Sequence, residues 1–282
     1  MYDFYFNTKK EIQKNPENFL LFVKKLLPRW LNGIPDSECL AIFKILNDIR
    51  KKKKRNLILT ETGCGASTVA IFLHCALYGG RMFSWDINSN KGSYLKSIIS
   101  DSICKVLNVD IHKIWTFISS SSTDPFVGLI VLKEMKLKSD FCFFDTEHTL
   151  KNVMNELNDF LKISEKSFVV AFDDAYYQKK YVNFVFTNII RTKLNLKRIK
   201  EPKSNISKPL YIEVQNFLKK NFKNVNKIND FYKSNYLNDS WFSYYKEVKD
   251  FGLASYDKDF DLKNENKKKH IQHRFDAFYV IK

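Results

Sequence analysis

The stretch Asn56–Thr68, Asn-Leu-Ile-Leu-Thr-Glu-Thr-Gly-Cys-Gly-Ala-Ser-Thr, limits the possible folds of this chain more than any other. Its apolar run Leu57-Ile58-Leu59 reads as a buried strand that stops at Glu61. Gly63 and Gly65 follow, and then a helical apolar pattern begins with Val69, Ile71, Phe72 and Leu73 and continues to Ala76 and Leu77. Strand, tight turn and helix in that order open a doubly wound α/β sheet. Glycines in such a turn let the backbone bend sharply and let a ligand approach the main chain. Ser67 or Thr68 can cap the helix.

The residues around the glycines narrow the ligand. A dinucleotide fingerprint wants a third small residue where Thr68 stands, and a Walker loop ends in a lysine that is missing here. Glu61 precedes the first glycine by two positions. A carboxylate there repels a pyrophosphate but not a cationic ligand, and S-adenosylmethionine carries a sulfonium and an ammonium with no phosphate. An ordinary strand–turn–helix corner is the plain alternative. The next expected strand, Arg81–Trp85, follows Gly79-Gly80 and ends at Asp86. An acid about 20 residues after the glycine turn can accept both ribose hydroxyls of a nucleoside.

Further strands are expected at 114–118, 141–144 and 168–172. The first runs into Ser119–Ser122, where hydroxyls such as that of Ser121 can meet an adenine edge or belong to a solvated loop. A helix is expected next, through Phe126, Leu129, Ile130, Leu132 and Met135. The fourth strand ends at Asp145, with His148 three residues on, and the fifth ends in Asp173-Asp174. Parallel strands end on one side of a sheet, so these acids are expected beside Glu61 and Asp86. Clustered carboxylates repel unless a cation neutralises them, and an all-oxygen donor set suits Mg²⁺ or another hard divalent ion such as Mn²⁺.

Glu-Thr-Gly-Cys-Gly-Ala-Ser-Thr, Ser-Trp-Asp, Phe-Phe-Asp-Thr-Glu-His and Ala-Phe-Asp-Asp, taken in sequence, resemble the class I S-adenosylmethionine-dependent methyltransferases. More narrowly, they resemble the small cation-dependent O-methyltransferases that include catechol and macrolide-sugar enzymes, over residues 36–190. The resemblance implies an α/β Rossmann-like three-layer αβα sandwich around a seven-stranded, mostly parallel sheet. Its antiparallel last strand would lie in the C-terminal residues 273–282. The expected cofactor contacts are Glu61, Gly63, Gly65, Ser67, Asp86 and Ser121. By the same resemblance Asp145, Asp173 and Asp174 hold Mg²⁺ or another divalent cation, and His148 is the general base. Asp174 stands where catechol-type enzymes have Asn, which is nearer the sugar-modifying pattern. The implied acceptor is a small molecule or sugar bearing a hydroxyl.

The 282 residues suit one domain, 1–282, with an N-terminal helical extension over 1–50 and an acceptor-side insertion over about 176–269. The extension shows helical spacing over 16–27 and again from Asp36. The insertion shows it over 182–190 and 212–218, followed by aromatics at 241–245. No apolar run reaches the length of a membrane span, and the N-terminus lacks the order of a signal peptide. Five cysteines without paired spacing point to a reduced, cytoplasmic protein. The formal charge of +16 raises nucleic-acid binding. The densest basic run, Lys51–Arg55, follows a helix and reads as a solvated helix end favoured by the macrodipole. Lys267–Lys269 reads the same way. His74, His112, His270 and His273 lie off the motifs and read as structural or solvated. Two rivals stand beside the metal-assisted enzyme: a metal-independent methyltransferase acting on N or O, and a non-catalytic nucleic-acid-binding protein.

Overall fold

The computed structural model describes residues 8–147, 149–173, 187–188, 190–199, 210–228 and 275–282. Seven strands form one sheet: β1 Leu57–Thr62, β2 Gly80–Trp85, β3 Trp115–Ile118, β4 Ser139–Phe144, β5 Ser164–Phe172, β6 Asn224–Ile228 and β7 Asp276–Ile281. Their order across the sheet is β3-β2-β1-β4-β5-β7-β6. β1 to β5 run parallel, and β7 runs antiparallel to β5 and β6. This is the sheet expected from the sequence, and the C-terminal segment supplies its antiparallel strand.

Alternation along the strands builds three layers. Successive side chains of a strand face opposite sides of the sheet. Phe141 and Phe143 of β4 enter one buried cluster with Phe43, Leu46, Phe72 and Leu95. Cys142 and Phe144 of the same strand enter the other, with Leu157, Phe160 and Leu218. Covering on both faces is why the central strands read as unbroken apolar runs. Helices α1 (Lys9–Lys14), α2 (Pro16–Lys25), α3 (Asp36–Lys53), α4 (Ala66–Tyr78) and α5 (Ser89–Ile99) lie in the first half of the chain. The helices Leu150–Ile163 and Leu210–Asn221 supply the second cluster.

The N-terminal helices are tied to the glycine turn. The buried Lys24 ammonium pairs with Asp36 at 2.7 Å, joining α2 to the start of α3. Cys39 of α3 donates its thiol to the Ala66 carbonyl at 3.6 Å. The Leu31 carbonyl oxygen lies 3.0 Å from the place a Cβ on Gly65 would take.

Three local expectations change. The helix foreseen through Phe126–Met135 is mostly irregular, with a single turn at Val131–Glu134. Asp124 accepts the Phe126 and Val127 amides, and Gly128 packs so closely that a Cβ there would stand 2.5 Å from the Ser122 and Asp124 carbonyls. The basic run after α3 is not simply solvated. Lys53 and Arg55 both grip the buried carboxylate of Asp140, at 2.6 and 2.7 Å. The cap of α4 is Gly65, and Thr68 reaches back to accept the Gly65 amide at 3.0 Å. Helix Leu210–Asn221 contains the pattern read over 212–218. Residues 182–186, 189, 241–245 and 267–270 lie outside the described residues, as does His273. No described helix is long and apolar enough to cross a membrane.

Candidate active site at the carboxyl edge of the sheet

The site residues are set in a row by the sheet ladder itself. Gly63 donates its amide to the Trp85 carbonyl at 2.7 Å, and Asp86 donates to Ile118 at 3.3 Å. Asp145 donates to Thr62 at 2.8 Å, and Asp173 donates to Phe144 at 3.0 Å. Each is the first residue past its strand, bonded to the last residue of the neighbouring strand. The edge therefore presents Gly63, Asp86, Asp145 and Asp173 at the strand spacing of about 4.8 Å. This is the crevice where open α/β sheets take ligands.

Gly63 closes the turn. Its φ is +87°, and a Cβ there would lie 1.9 Å from the Asp145 carbonyl oxygen. Two reasons, backbone and space, thus exclude any side chain.

Glu61 lies buried behind the glycine turn. Its side chain is fully buried and accepts from Ser67 at 2.9 Å, Thr68 at 2.7 Å and Ser84 at 2.7 Å. The Trp115 indole in turn donates to Ser84 at 2.8 Å. Burial raises the Glu61 carboxyl to about 7; the three hydroxyl bonds pull it down, and the Asp86 charge adds to the rise. The structure places Glu61 and Ser67 beneath the cavity wall, clamping the start of α4 to β2. Neither side chain lines the cleft, and both support its loop.

A cleft of about 360 Å³ opens over the edge, with Gly63, Trp85, Asp86, Lys91, Ser121 and Asp145 in its wall. Asp86 is held rigidly. One oxygen accepts from the Cys64 amide at 3.0 Å and the Lys91 ammonium at 2.9 Å, and the other from the Asn88 amide at 2.8 Å. Burial lowers the Lys91 pKa, but the bond to Asp86 and the charges of Asp86 and Asp145 outweigh it and leave the ammonium raised. Lys91 escaped the sequence reading; its place five residues after Asp86, in the first turn of α5, was the available signal. Ser121 stands in the wall as expected, 3.1 Å from the Thr123 hydroxyl.

A second buried carboxylate supports the opposite wall. Glu156 binds the Ser122 hydroxyl and accepts from Thr146 at 2.8 Å, and Asn152 donates to Thr146 at 2.9 Å. Ser122, Thr146 and Asn152 all line the cleft. Glu156 thereby couples the loop after β3 to the loop after β4. It too was missed, since it lies inside an ordinary helical pattern.

Of the expected metal ligands, Asp145 lies in the cleft wall and Asp173 is buried beside it at the next strand end. Two oxygen donors on adjacent strands fit a hard divalent cation. The third, Asp174, and the expected base, His148, lie outside the described residues. Among the described residues no group of three or more His, Cys, Asp or Glu could hold a metal ion. Glu147, beside His148 in sequence, borders the cleft, and Thr149 caps the following helix. His112 is exposed, whereas His74 is buried against Phe43 and Tyr78.

Residues 60–175 match the family model described as a methyltransferase domain. Similar solved structures include an O-methyltransferase from Bacillus cereus in complex with SAH, 14% identical. The match covers 81% of this chain and 91% of that one, with a TM-score of 0.44. Another is the O-methyltransferase TomG from Streptomyces achromogenes, involved in tomaymycin synthesis and bound to SAM. It is 11% identical over 66% of this chain and 71% of that one, with a TM-score of 0.39. No curated protein matches the chain.

Proposed function

We propose, from the match of residues 60–175 to a methyltransferase domain, that this protein transfers the methyl group of S-adenosylmethionine to a hydroxyl of a small molecule or sugar. The row of Gly63, Asp86 and Asp145 along the carboxyl edge, facing one cleft, carries the reading. The donor set suits an adenosine moiety. Asp86 offers a carboxylate fixed by two backbone amides, and Ser121 a hydroxyl near the third strand end. The acids of the wall favour a cationic ligand, and bound S-adenosylmethionine supplies an electrophilic methyl group. Binding donor and acceptor in one cleft turns a bimolecular step into an oriented one.

Asp145, Asp173 and Asp174 would hold a divalent cation, which when bound lowers the cost of charge on the acceptor oxygen. In this reading His148 takes the hydroxyl proton. Asp145 in the cleft wall supports the first assignment, and the cleft-lining neighbour Glu147 supports the second.

Calorimetry tests the core of the reading. Wild type should bind S-adenosylmethionine, and Asp86→Ala should lose roughly 2–4 kcal/mol with two charge-assisted bonds. Asp86→Asn keeps the side-chain shape and separates ribose binding from loop support. A folded wild type with no donor binding overturns the proposal. Chelator-treated enzyme that keeps full activity, with negligible metal content, overturns the metal assignment alone.

A further inference from the structure

The sheet has two edges, and their charges differ. The carboxyl edge carries Asp86, Asp145, Glu147 and Asp173. At the opposite edge, one strand after another brings an exposed cation. Reading across the sheet, Lys113 precedes β3, Arg81 lies second in β2, Lys54 precedes β1 and Lys138 precedes β4. Lys166 lies near the start of β5, and Lys282 follows β7 with its ammonium bonded to the Leu161 and Ser164 carbonyls. The series closes with Lys223, just before β6. These residues are far apart in sequence, and the strand order alone lines them up.

Four acids near this edge have partners; one of them, Asp110 beside Lys113, accepts the His112 amide. Asp140 is buried and holds Lys53 and Arg55. Glu165 pairs with Arg55, and Asp159 pairs with Lys162. Burial and then the nearby Lys138 charge lower the Lys282 ammonium, against the pull of Glu165.

We propose that this edge is a docking surface for the phosphate backbone of a nucleic-acid duplex, lying on the far side of the sheet from the reaction cleft. The dimensions agree. Seven strands at about 4.8 Å spacing span about 29 Å, close to one duplex turn of about 34 Å. A single file of cations follows a line of phosphates better than it covers a plane of lipid headgroups. Stable membrane attachment needs an apolar face or a lipid anchor as well. Near this edge the exposed large apolar residues are Met135 and Ile281. The exposed aromatics among the described residues, Trp30, Tyr94 and Phe126, belong to loops and a helix at the other edge. With no aromatic platform for unstacked bases, paired strands are favoured. The contact is with phosphate, so it is insensitive to sequence. The inference does not rest on the proposed reaction and survives its failure.

Fluorescence anisotropy with labelled 20-base-pair duplexes, one RNA and one DNA, tests it across 50–300 mM KCl. The expected result is a dissociation constant of about 1–10 µM at 50 mM salt and a log–log salt slope of about −3 to −5, from four or five phosphate contacts. The two duplexes distinguish an RNA-shaped from a DNA-shaped partner, and tight binding by either supports the proposal. The variant with Lys113→Glu, Lys138→Glu, Lys166→Glu and Lys223→Glu should bind about 30-fold more weakly with an unchanged melting temperature. If it does not fold, the four Lys→Gln substitutions replace it, with at least a fivefold loss expected. The control reverses three exposed cations toward the carboxyl edge, Lys25, Arg29 and Lys151, and should bind nearly as wild type. Equal loss in both variants overturns the proposal in favour of general charge. So does absence of duplex binding at 50 mM salt, with or without binding to vesicles containing phosphatidylserine.

Discussion

Two buried ionisable side chains give this protein opposing pH responses. Glu61 accepts hydrogen bonds from three hydroxyls, and burial raises it to about 7 from 4.5. Between those values the unfolded chain has released the proton that the folded one keeps. Stability therefore falls as pH rises from about 4.5 to 7, by roughly 3 kcal/mol. Glu61→Gln mimics the neutral form, so its melting temperature relative to wild type should climb between pH 5 and 8. A constant difference across that range would show Glu61 to be ionised throughout. His74 works the other way. Burial, and then the Arg50 charge, lower it to about 3, and neither ring nitrogen has a hydrogen-bond partner. Its contribution is fully present above the unfolded pKa of about 6.5 and is lost as pH falls toward 3. The ring sits 6.1 Å from Phe43 and 5.3 Å from Tyr78, an aromatic setting that asks for no polar atoms. His74→Phe should cost no more than about 1.5 kcal/mol at pH 8 and exceed the wild type in thermal stability at pH 5.

At the level of elements, the site depends on how the β1–α4 turn meets the loop after β4. Gly63 is where they touch: its left-handed backbone and the Asp145 carbonyl leave no room for a methyl group. Gly63→Ala must either move Asp145 or unwind the turn. Several kcal/mol of destabilisation are expected, about 1 from the backbone alone, with donor affinity reduced at least tenfold. Chemical denaturation and calorimetry measured together check this. A variant with normal stability and normal binding would mean that the turn has slack the geometry does not show. Asp86 and Glu156 act on a similar pattern, each tying one loop to another through side-chain bonds to backbone or hydroxyls. Walls built in this way are rigid before a ligand arrives, which suits a reaction governed by positioning.

Across the whole molecule, the sheet is completed by residues from opposite ends of the chain. β7 inserts between β5 and β6, and Phe278 is fully buried in the second core cluster, 6.4 Å from Phe172. Phe278→Ala should cost about 3–5 kcal/mol in urea unfolding, and the loss should appear in one cooperative transition. Two separated transitions would show that β6 and β7 fold as an independent unit. The molecule is also polar in the electrostatic sense, acidic at the cleft and basic behind it, and that arrangement is invisible in a net charge.

Much of the fold was legible in the residues. Apolar runs ending in Glu61, Asp86, Asp145 and Asp173 located four parallel strands, because a strand covered on both faces must be apolar throughout and can become polar only at its end. The glycine turn and the alternating C-terminal segment located the helix crossover and the antiparallel strand for equally local reasons. Side-chain direction was not local. Glu61 read as a ligand contact because sequence places it at a strand end, but packing turned it inward onto Ser67, Thr68 and Ser84. Lys91 and Glu156 sit in unremarkable helical patterns and gain their roles only when α5 and the helix Leu150–Ile163 dock beside the cleft. Lys53 and Arg55 read as a solvated helix end, and the register of β4 gave them Asp140. Sequence thus determined which segments are strands and where each stops, since hydrophobic pattern and turn chemistry are properties of neighbours along the chain. Which charges meet across the strands was decided by strand order, since Arg55, 85 positions from Asp140 and 110 from Glu165, becomes their neighbour only when the sheet closes.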